Sequence, residues 1–332
     1  YRQNNDTYIF LRQDPAFYQN DHINRTLGIE ANMAIPLGRG TTGIGIDLNR
    51  VTLASNNLGQ RERQVASLFA EHNFVLLQDK LSLTPGVQVN YYSDFGFNAL
   101  PGLDAGYLVA NHWRLFGSVG YTYRVPSYTE MYYRDPVNQG NAGLLPEYAM
   151  NYEVGGKTVD YEHLQGSVSV FYRQGRNMID WVRAADTLPW QANNILQVNM
   201  AGLELEARYR WRTALGLVAL QELQGYYTYI NAAFEASETL QSRYALENLR
   251  HQFRGTVVLG YGKRLTHTVT AAYYDRVNLP DYTLVDTRLS YRHKRAVLFI
   301  DVTNLLDVAY RETNLVSMPG RWFKAGLQVK VL

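Results

Sequence analysis

Residues 203–211 read Leu-Glu-Leu-Glu-Ala-Arg-Tyr-Arg-Trp, an uninterrupted alternation of apolar and charged side chains. Successive side chains of a β-strand point to opposite faces, so this segment predicts a strand with one apolar face and one ionic face. A soluble antiparallel sheet with one solvated face could contain a single strand of this kind. The interpretation therefore depends on whether the pattern is repeated.

The same alternation recurs from one end of the chain to the other. It is present in residues 43–53, 115–123, 167–173, 268–274 and 323–331. Half-apolar strands that end in aromatic residues and face a charged interior are typical of transmembrane β-barrels. We count about 16 strands, each near the 9–11 residues that cross a bilayer when tilted. The sequence thus predicts an all-β fold, a transmembrane antiparallel up-and-down β-barrel.

The composition agrees with a barrel and excludes several other classes. Of the 332 residues 46% are hydrophobic and 26 are tyrosine, yet the mean hydropathy is −0.29. No run approaches the ~20 apolar residues of a spanning helix, and aromatic belts account for the tyrosines. The net charge of only +2 argues against a nucleic-acid-binding groove. The lack of cysteine excludes disulfides and cysteine metal sites. No signal peptide precedes Tyr1, so we expect a mature, truncated or partial chain.

The connections between the predicted strands alternate in length, with one brief exception at residues 93–98. Short connections are expected at residues 36–40, 77–80, 111–113, 160–163, 212–214, 262–264 and 293–295. Long connections are expected at residues 14–21, 54–61, 125–148, 183–194, 231–246, 276–281 and 307–319. Bacterial barrels have short periplasmic turns and longer outer loops. The rhythm predicts that residues 125–148 lie outside the cell and that the C-terminus is periplasmic.

Two groups of motifs carry a resemblance to a known family. The first comprises Tyr123-Arg124-Val-Pro126-Ser, then Gly140-Asn141-Ala-Gly-Leu144-Leu-Pro146-Glu147, then Tyr152-Glu-Val-Gly155. The second comprises Asn304-Leu305-Leu-Asp307, Tyr310 and Pro319-Gly320-Arg321. In this order and spacing they resemble the barrel of TonB-dependent outer-membrane receptors, from about residue 110 onward in explicit motifs and before it by alternation alone.

This resemblance implies an active-transport receptor in the outer membrane of a Gram-negative bacterium. Receptors of the family have a plug domain and 22 strands, so residues 1–332 would be the C-terminal part of such a barrel. The TonB complex would then act through an upstream plug that this chain does not contain. Further partners would be outer-membrane lipid and a large nutrient ligand, cobalamin or a ferric siderophore. Whether a surface lipoprotein delivers that ligand is left open by the sequence. A 16-stranded passive porin is the alternative.

Most motif residues have a plausible role in shaping the barrel. Pro126 and Pro146 lack an N–H donor and should bracket the outer loop. Gly140 and Asn141 tolerate a positive φ and would allow a sharp reversal within that loop. Near the end of the chain, Asn304 and Asp307 can bond nearby backbone where a strand ends, and Gly320 can restart the chain after a turn.

The outer loops supply the candidate ligand-binding residues. A buried ligand such as cobalamin or a ferric siderophore needs aromatic and polar side chains around the outer vestibule. The candidates are Tyr132, Tyr133, Arg134, Trp181, Arg183, Trp190 and Phe234, with an outer aromatic girdle as the alternative role of Tyr133 and Trp181. The sequence of residues 128–133 resembles cobalamin-type receptors slightly more than siderophore receptors. The lack of histidine between Tyr123 and Glu147 argues against haem as the ligand.

The sequence predicts no enzyme, no cofactor and no metal site. It contains no G-x-S-x-G elbow, no Walker loop and no H-E-x-x-H motif. His22, near an outer loop, is the only candidate for catalysis at the rim.

Overall fold

The computed structural model describes residues 1–159, 161, 163–211, 218–235, 241–243, 249–313 and 316–330, with backbone only for residues 195, 196, 234, 235 and 313. Sixteen long strands dominate this part of the chain. They are β1 (Arg2–Ile9), β2 (Gln19–Pro36), β3 (Gly40–Ser55), β4 (Gly59–Leu76), β5 (Leu81–Tyr92), β6 (Gly96–Ala110), β7 (Trp113–Arg124), β9 (Glu147–Thr158), β10 (Leu164–Arg183), β11 (Trp190–Arg210), β12 (Val218–Glu235), β14 (Leu249–Tyr261), β15 (Leu265–Arg276), β16 (Tyr282–His293), β17 (Ala296–Thr303) and β20 (Trp322–Val329).

Five short elements lie in the connections between the long strands. They are the helix α1 (Tyr128–Tyr132) and the strands β8 (Asn138–Gln139), β13 (Gln241–Ser242), β18 (Arg311–Thr313) and β19 (Val316–Ser317). Among the described residues, no helix has the length and apolar character needed to cross a membrane.

Each long strand pairs antiparallel with the next long strand along the chain, which is the predicted up-and-down order. The strand count and the antiparallel topology expected from the alternation are thus confirmed. Within the described residues β1 pairs only with β2, and β20 pairs only with β17. The sheet therefore has two free edges.

The two faces of the sheet separate as residues 203–211 predict. Leu205 lies opposite Val168 of β10 and Tyr227 of β12, so the apolar residues of three strands share one face. On this face Leu205 and Tyr209 are 41% and 40% exposed. On the other face, Arg210 bonds Glu222 at 2.5 Å. Exposed aliphatic residues beside a paired ionic face fit a wall between lipid and a polar lumen.

The strands are longer than the sequence suggested. β10 has 20 residues and β11 has 21, well beyond the expected 9–11. At about 3.3 Å per residue and a tilt near 45°, such strands rise far above a hydrocarbon layer of about 30 Å. Their outer halves, on the side of the long connections, do not keep strict alternation: Asp180, Trp181 and Val182 are buried in succession. We expect these halves to lie outside the bilayer.

Most connections agree with the predicted rhythm, and one does not. Short turns join β2 to β3, β4 to β5, β6 to β7, β14 to β15 and β16 to β17. The predicted long loop at residues 54–61 is wrong, since β3 ends at Ser55 and β4 begins at Gly59. Ser55 accepts bonds from the N–H groups of Asn57 and Leu58, and Gly59 has a φ of 77°, which closes a tight turn. The predicted turn at 212–214 lies outside the described residues.

Candidate ligand-binding site

The connection from β7 to β9, residues 125–146, is a folded unit on the side of the long connections. Its second residue, Pro126, is fully buried, and its last residue is Pro146, so the two prolines bracket it as predicted. Ser127 caps α1: its hydroxyl accepts from the Glu130 N–H, and the Glu130 carboxylate accepts from the Ser127 N–H at 2.7 Å. This reciprocal capping box fixes the direction in which α1 leaves the barrel wall.

The motif residues Arg124 and Glu147 close the neck of this loop. They face each other at the ends of β7 and β9 and form a hydrogen-bonded ion pair. Arg124 also binds Glu130 at 2.9 Å, while Glu147, only 7% exposed, accepts the N–H of Ile179 at 2.6 Å. One cation thus joins two strand ends to the helix cap, which is a scaffolding role.

Two carboxylates of the loop have shifted pKa values. Burial would raise the pKa of Glu130, but hydrogen bonds from Arg124 and Ser127 outweigh it and leave the pKa below its ordinary value. Asp135 shows the same balance: burial opposes ionisation, yet the side chain and backbone of Asn138 and the backbone of Val137 lower its pKa. Both groups are charged in the docked loop.

We expect the docking of this loop to weaken in acid. A carboxylate with a depressed folded pKa stabilises the fold fully above its unfolded pKa, and this contribution is lost as the pH falls through the folded pKa. For Glu130 and Asp135 the loss should begin near pH 4. The emission of Trp181, buried beside the loop, should shift to the red below that pH. Glu130→Gln should show a smaller acid-induced shift, and an unchanged acid response would contradict this assignment.

Gly140 is needed for close packing, whereas its expected positive φ is wrong. Neither Gly140 nor Asn141 is among the residues with positive φ. A Cβ at Gly140 would instead lie 2.8–2.9 Å from backbone atoms of Met131, Tyr132 and Tyr133. The Gly140 N–H donates to the Tyr133 carbonyl at 2.7 Å, and the Asn141 N–H donates to the Glu130 carbonyl at 2.9 Å. The returning segment therefore lies directly against the end of α1.

We expect Gly140→Ala to undock α1 while leaving the barrel intact. The added Cβ meets backbone, which cannot rotate away, and overpacking of this kind costs about 1–3 kcal/mol. Trypsin or chymotrypsin should then cut within residues 125–146 many times faster. Gly120→Ala is the control, because a Cβ there has nothing within 4 Å. Equal cleavage of the two variants would show that the close approach is unimportant.

Four of the predicted ligand-binding residues meet in one hydrophobic cluster. Met131, Leu144, Trp181 and Ala192 form its buried centre, and Tyr132, Tyr133 and Trp190 pack against it. Trp181 is 8% exposed, so it supports the loop from beneath. The cluster joins α1 to the outer halves of β10 and β11.

The other three candidates are Arg183, Arg134 and Phe234. Arg183 stacks on Trp190, with its guanidinium carbon 4.4 Å from the ring centroid, and bonds Asp186 at 2.6 Å. Arg134 is exposed, and its backbone carbonyl and N–H bond the side chain of Asn57. Phe234, in β12, lies opposite Val198 of β11. The side chain of Phe234 is outside the described part of the structure.

Two asparagines that sequence reasoning missed hold the loop on opposite sides. Asn57 donates to the Arg134 carbonyl at 2.8 Å and accepts the Arg134 N–H at 3.2 Å. Asn194 likewise donates to the Leu145 carbonyl and accepts the Leu145 N–H, with both bonds at 2.9 Å. Each amide replaces the peptide of a missing neighbouring strand. No local signal marks these residues, because their partners are distant in the sequence.

The wall beneath α1 presents two arginines to its tyrosines. Arg61 lies 3.5 Å from the ring centroid of Tyr132, and Arg63 lies 5.0 Å from that of Tyr128. Arg63 also pairs with Asp94 at 2.8 Å. Cation–π contacts in a partly desolvated place stabilise by about 1–2 kcal/mol each. The loop thus folds inward against β4 and the turn after β5.

The second motif group shapes the connection from β17 to β20. Asn304 and Asp307 have positive φ values of 50° and 55°, and the Asn304 amide makes two bonds to the backbone of Val308. Asp307 accepts the N–H of Arg321 at 2.7 Å, and a Cβ at Gly320 would lie 2.7 Å from the same carboxylate oxygen. Leu305 donates its N–H to the Val285 carbonyl, and Pro319 precedes the glycine. These residues build a turn, as expected.

His22 is the sequence candidate for catalysis at the rim. His22 bonds Ser55 on the neighbouring strand at 2.8 Å. Among the described residues, no group of three or more histidine, cysteine or acidic side chains is placed to hold a metal ion.

Comparisons with known proteins agree with this architecture. Residues 1–305 match the family described as TonB dependent receptor-like, beta-barrel. The vitamin B12 transporter BtuB of Vibrio vulnificus (strain YJ016) is 26% identical over 117 residues, which are 35% of this chain and 18% of that protein.

Solved structures share the fold at low sequence identity. The siderophore receptor PirA of Pseudomonas aeruginosa superposes with a TM-score of 0.71 and 19% identity, over 95% of this chain and 56% of PirA. The copper transporter OprC superposes with a TM-score of 0.75 and 14% identity, over 94% of this chain and 57% of OprC. The third structure is the Q482A mutant of the ferric enterobactin receptor PfeA of P. aeruginosa in complex with enterobactin. It superposes with a TM-score of 0.75 and 18% identity, over 98% of this chain and 58% of PfeA. The chain thus spans little more than half the length of these structures. It belongs to the family of TonB-dependent receptor-like β-barrels.

Proposed function

We propose that this chain is the wall of an outer-membrane receptor that binds a scarce, large nutrient at its outer loops for TonB-energised import. The family match over residues 1–305 carries this proposal. Family members are transport receptors, which argues against an enzyme and makes a passive porin the weaker alternative. The ligand class we favour is a ferric siderophore or cobalamin, after the compounds named for PirA, PfeA and BtuB.

The docked loop supports this proposal. Residues 125–146 are held to the wall by a capping box, an ion pair, two asparagine amides and an aromatic cluster. Such fixation would hold Tyr132, Tyr133 and Trp190, and the Arg183 stacked on Trp190, in a reproducible arrangement before a ligand binds. Preorganised groups lose less entropy on binding, which favours tight capture of a dilute compound.

We further propose that residues 1–332 form the C-terminal part of a larger barrel. The edges of β1 and β20 are free among the described residues, and unpaired backbone cannot face lipid without a cost of several kcal/mol per group. The shares of 56–58% of the superposed receptors and transporter are consistent with additional strands and a plug.

Uptake by cells that produce the full-length protein tests the function. Ferric enterobactin and cyanocobalamin serve as labelled probes, with and without a protonophore that removes the energy supply. We expect uptake of one probe at nanomolar concentration, abolished by the protonophore. Uptake that persists without energy and rises linearly with concentration would favour the porin.

A further inference from the structure

The end of the sheet opposite the 125–146 loop carries a dense group of cations. Lys263 and Arg264 form the turn between β14 and β15, and Lys294 and Arg295 form the turn between β16 and β17. Lys330 follows β20, and its N–H donates to the Arg295 carbonyl at 2.9 Å. We call these five residues the basic rim. All five are exposed.

The charge of the basic rim is not balanced locally. Residues 261–265, 291–296 and 328–330 contain no aspartate or glutamate. Among the described residues, the ion pairs include none of the five cations. At the same end of the sheet, by contrast, Arg39 has Asp79 within 3.8 Å. The sector from β14 to β20 therefore carries excess positive charge at this end of the sheet.

An apolar band lies directly beside the basic rim on the outward face. Leu265, Tyr291, Leu298 and Leu327 form one continuous cross-strand row, because each pairs with the next. Tyr291, Leu298 and Leu327 are 39%, 53% and 60% exposed. The hydroxyl of Tyr291 accepts a bond from Arg264 at 3.4 Å, which joins the row to the rim.

We propose that the basic rim binds the phosphate headgroups of anionic membrane phospholipids, with their acyl chains against the apolar row. A tyrosine between aliphatic residues and an arginine is the arrangement that suits a membrane interface, where long cationic side chains reach from apolar surface to polar headgroups. A phosphodiester supplies the negative charge that the rim lacks. This site faces away from the outer loops, so it does not depend on which nutrient the receptor takes.

Lipid selectivity of the full-length protein tests this site. The protein in neutral detergent is offered equimolar phosphatidylglycerol and phosphatidylcholine, and bound lipids are counted by native mass spectrometry. We expect a clear preference for phosphatidylglycerol that weakens with salt. Each cation near an anionic lipid surface contributes about fivefold. The variant combining Lys263→Gln, Arg264→Gln, Lys294→Gln and Arg295→Gln should lose at least about tenfold of the preference.

A matched variant removes four exposed cations elsewhere, through the substitutions Arg12→Gln, Arg25→Gln, Arg311→Gln and Arg321→Gln. It should retain the lipid preference. Glycerol phosphate, which has the anion without acyl chains, should not compete at equal concentration. An unchanged preference in the rim variant, an equal loss in the matched variant, or full competition by glycerol phosphate would each overturn the proposal. Gel mobility before and after heating confirms that both variants are folded.

Discussion

Arginine in place of Leu205 should cost about 2–4 kcal/mol of the free energy of unfolding in lipid vesicles, the range for a cation near the middle of a barrel's lipid-facing surface. Leu205 is 41% exposed on the apolar face. It lies five residues before Arg210, the last residue of β11. At about 3.3 Å per residue and a tilt near 45°, this distance places it roughly 12 Å from that end.

The matched variant is Glu204→Arg, one residue away on the ionic face. Glu204 lies opposite Ser169 and Thr228, which are neutral, so a cation there meets no like charge directly across the strand. We expect a cost below about 1 kcal/mol, since the lumen is polar. Equilibrium unfolding by denaturant of the full-length protein measures both. Equal costs would mean that the two faces are wrongly assigned.

The second large effect concerns the neck of the outer loop. Arg124→Met should weaken the docking of residues 125–146 by about 2–3 kcal/mol, because it leaves the buried carboxylate of Glu147 without its cation. A fully buried pair would lose 3–5 kcal/mol, but Arg124 is itself 47% exposed, and solvent screens part of the interaction. Amide hydrogen exchange in α1 should accelerate by roughly 30- to 150-fold.

The double variant Arg124→Met with Glu147→Gln separates charge from packing. Glutamine keeps an acceptor for the Ile179 N–H but brings no charge into the site. Part of the lost protection should return, because the Glu147 charge is no longer left without its cation, whereas Glu130 still lacks Arg124 as its partner. If the double variant were as exposed to exchange as the single variant, the ion pair would not be what fixes the neck.

The alternation of residues 203–211 was sufficient to predict the strand and the orientation of its faces, since a period of two is a local property. The bracketing prolines and the Asn304–Asp307 turn were also predictable, because each acts on neighbouring backbone. The long loop predicted at residues 54–61 is wrong for a related reason. The strand ends there are polar, as expected of strand ends that rise above a bilayer, and a polar strand end resembles a loop in the sequence.

The outer site could be predicted only in part. Its aromatic residues stand out by composition, but which of them meet depends on contacts between distant segments. Asn57 bonds the backbone of Arg134, and Asn194 bonds the backbone of Leu145. These partners are far apart in the sequence, so no periodic pattern predicts their contact. The sequence alone suggests that Gly140 serves a positive φ, whereas in the structure it allows the close approach of the α1 backbone.

The sidedness of the wall is the central claim, and cysteine labelling on intact cells tests it most directly. The chain has no native cysteine, so single cysteines can be placed at Val137, which is 55% exposed in the outer loop, and at Lys263, in the opposite turn. The reagent is a maleimide coupled to a polyethylene glycol too large for a porin. We predict that V137C reacts on intact cells and that K263C reacts only after the outer membrane is permeabilised. Reaction of K263C alone on intact cells would contradict the account.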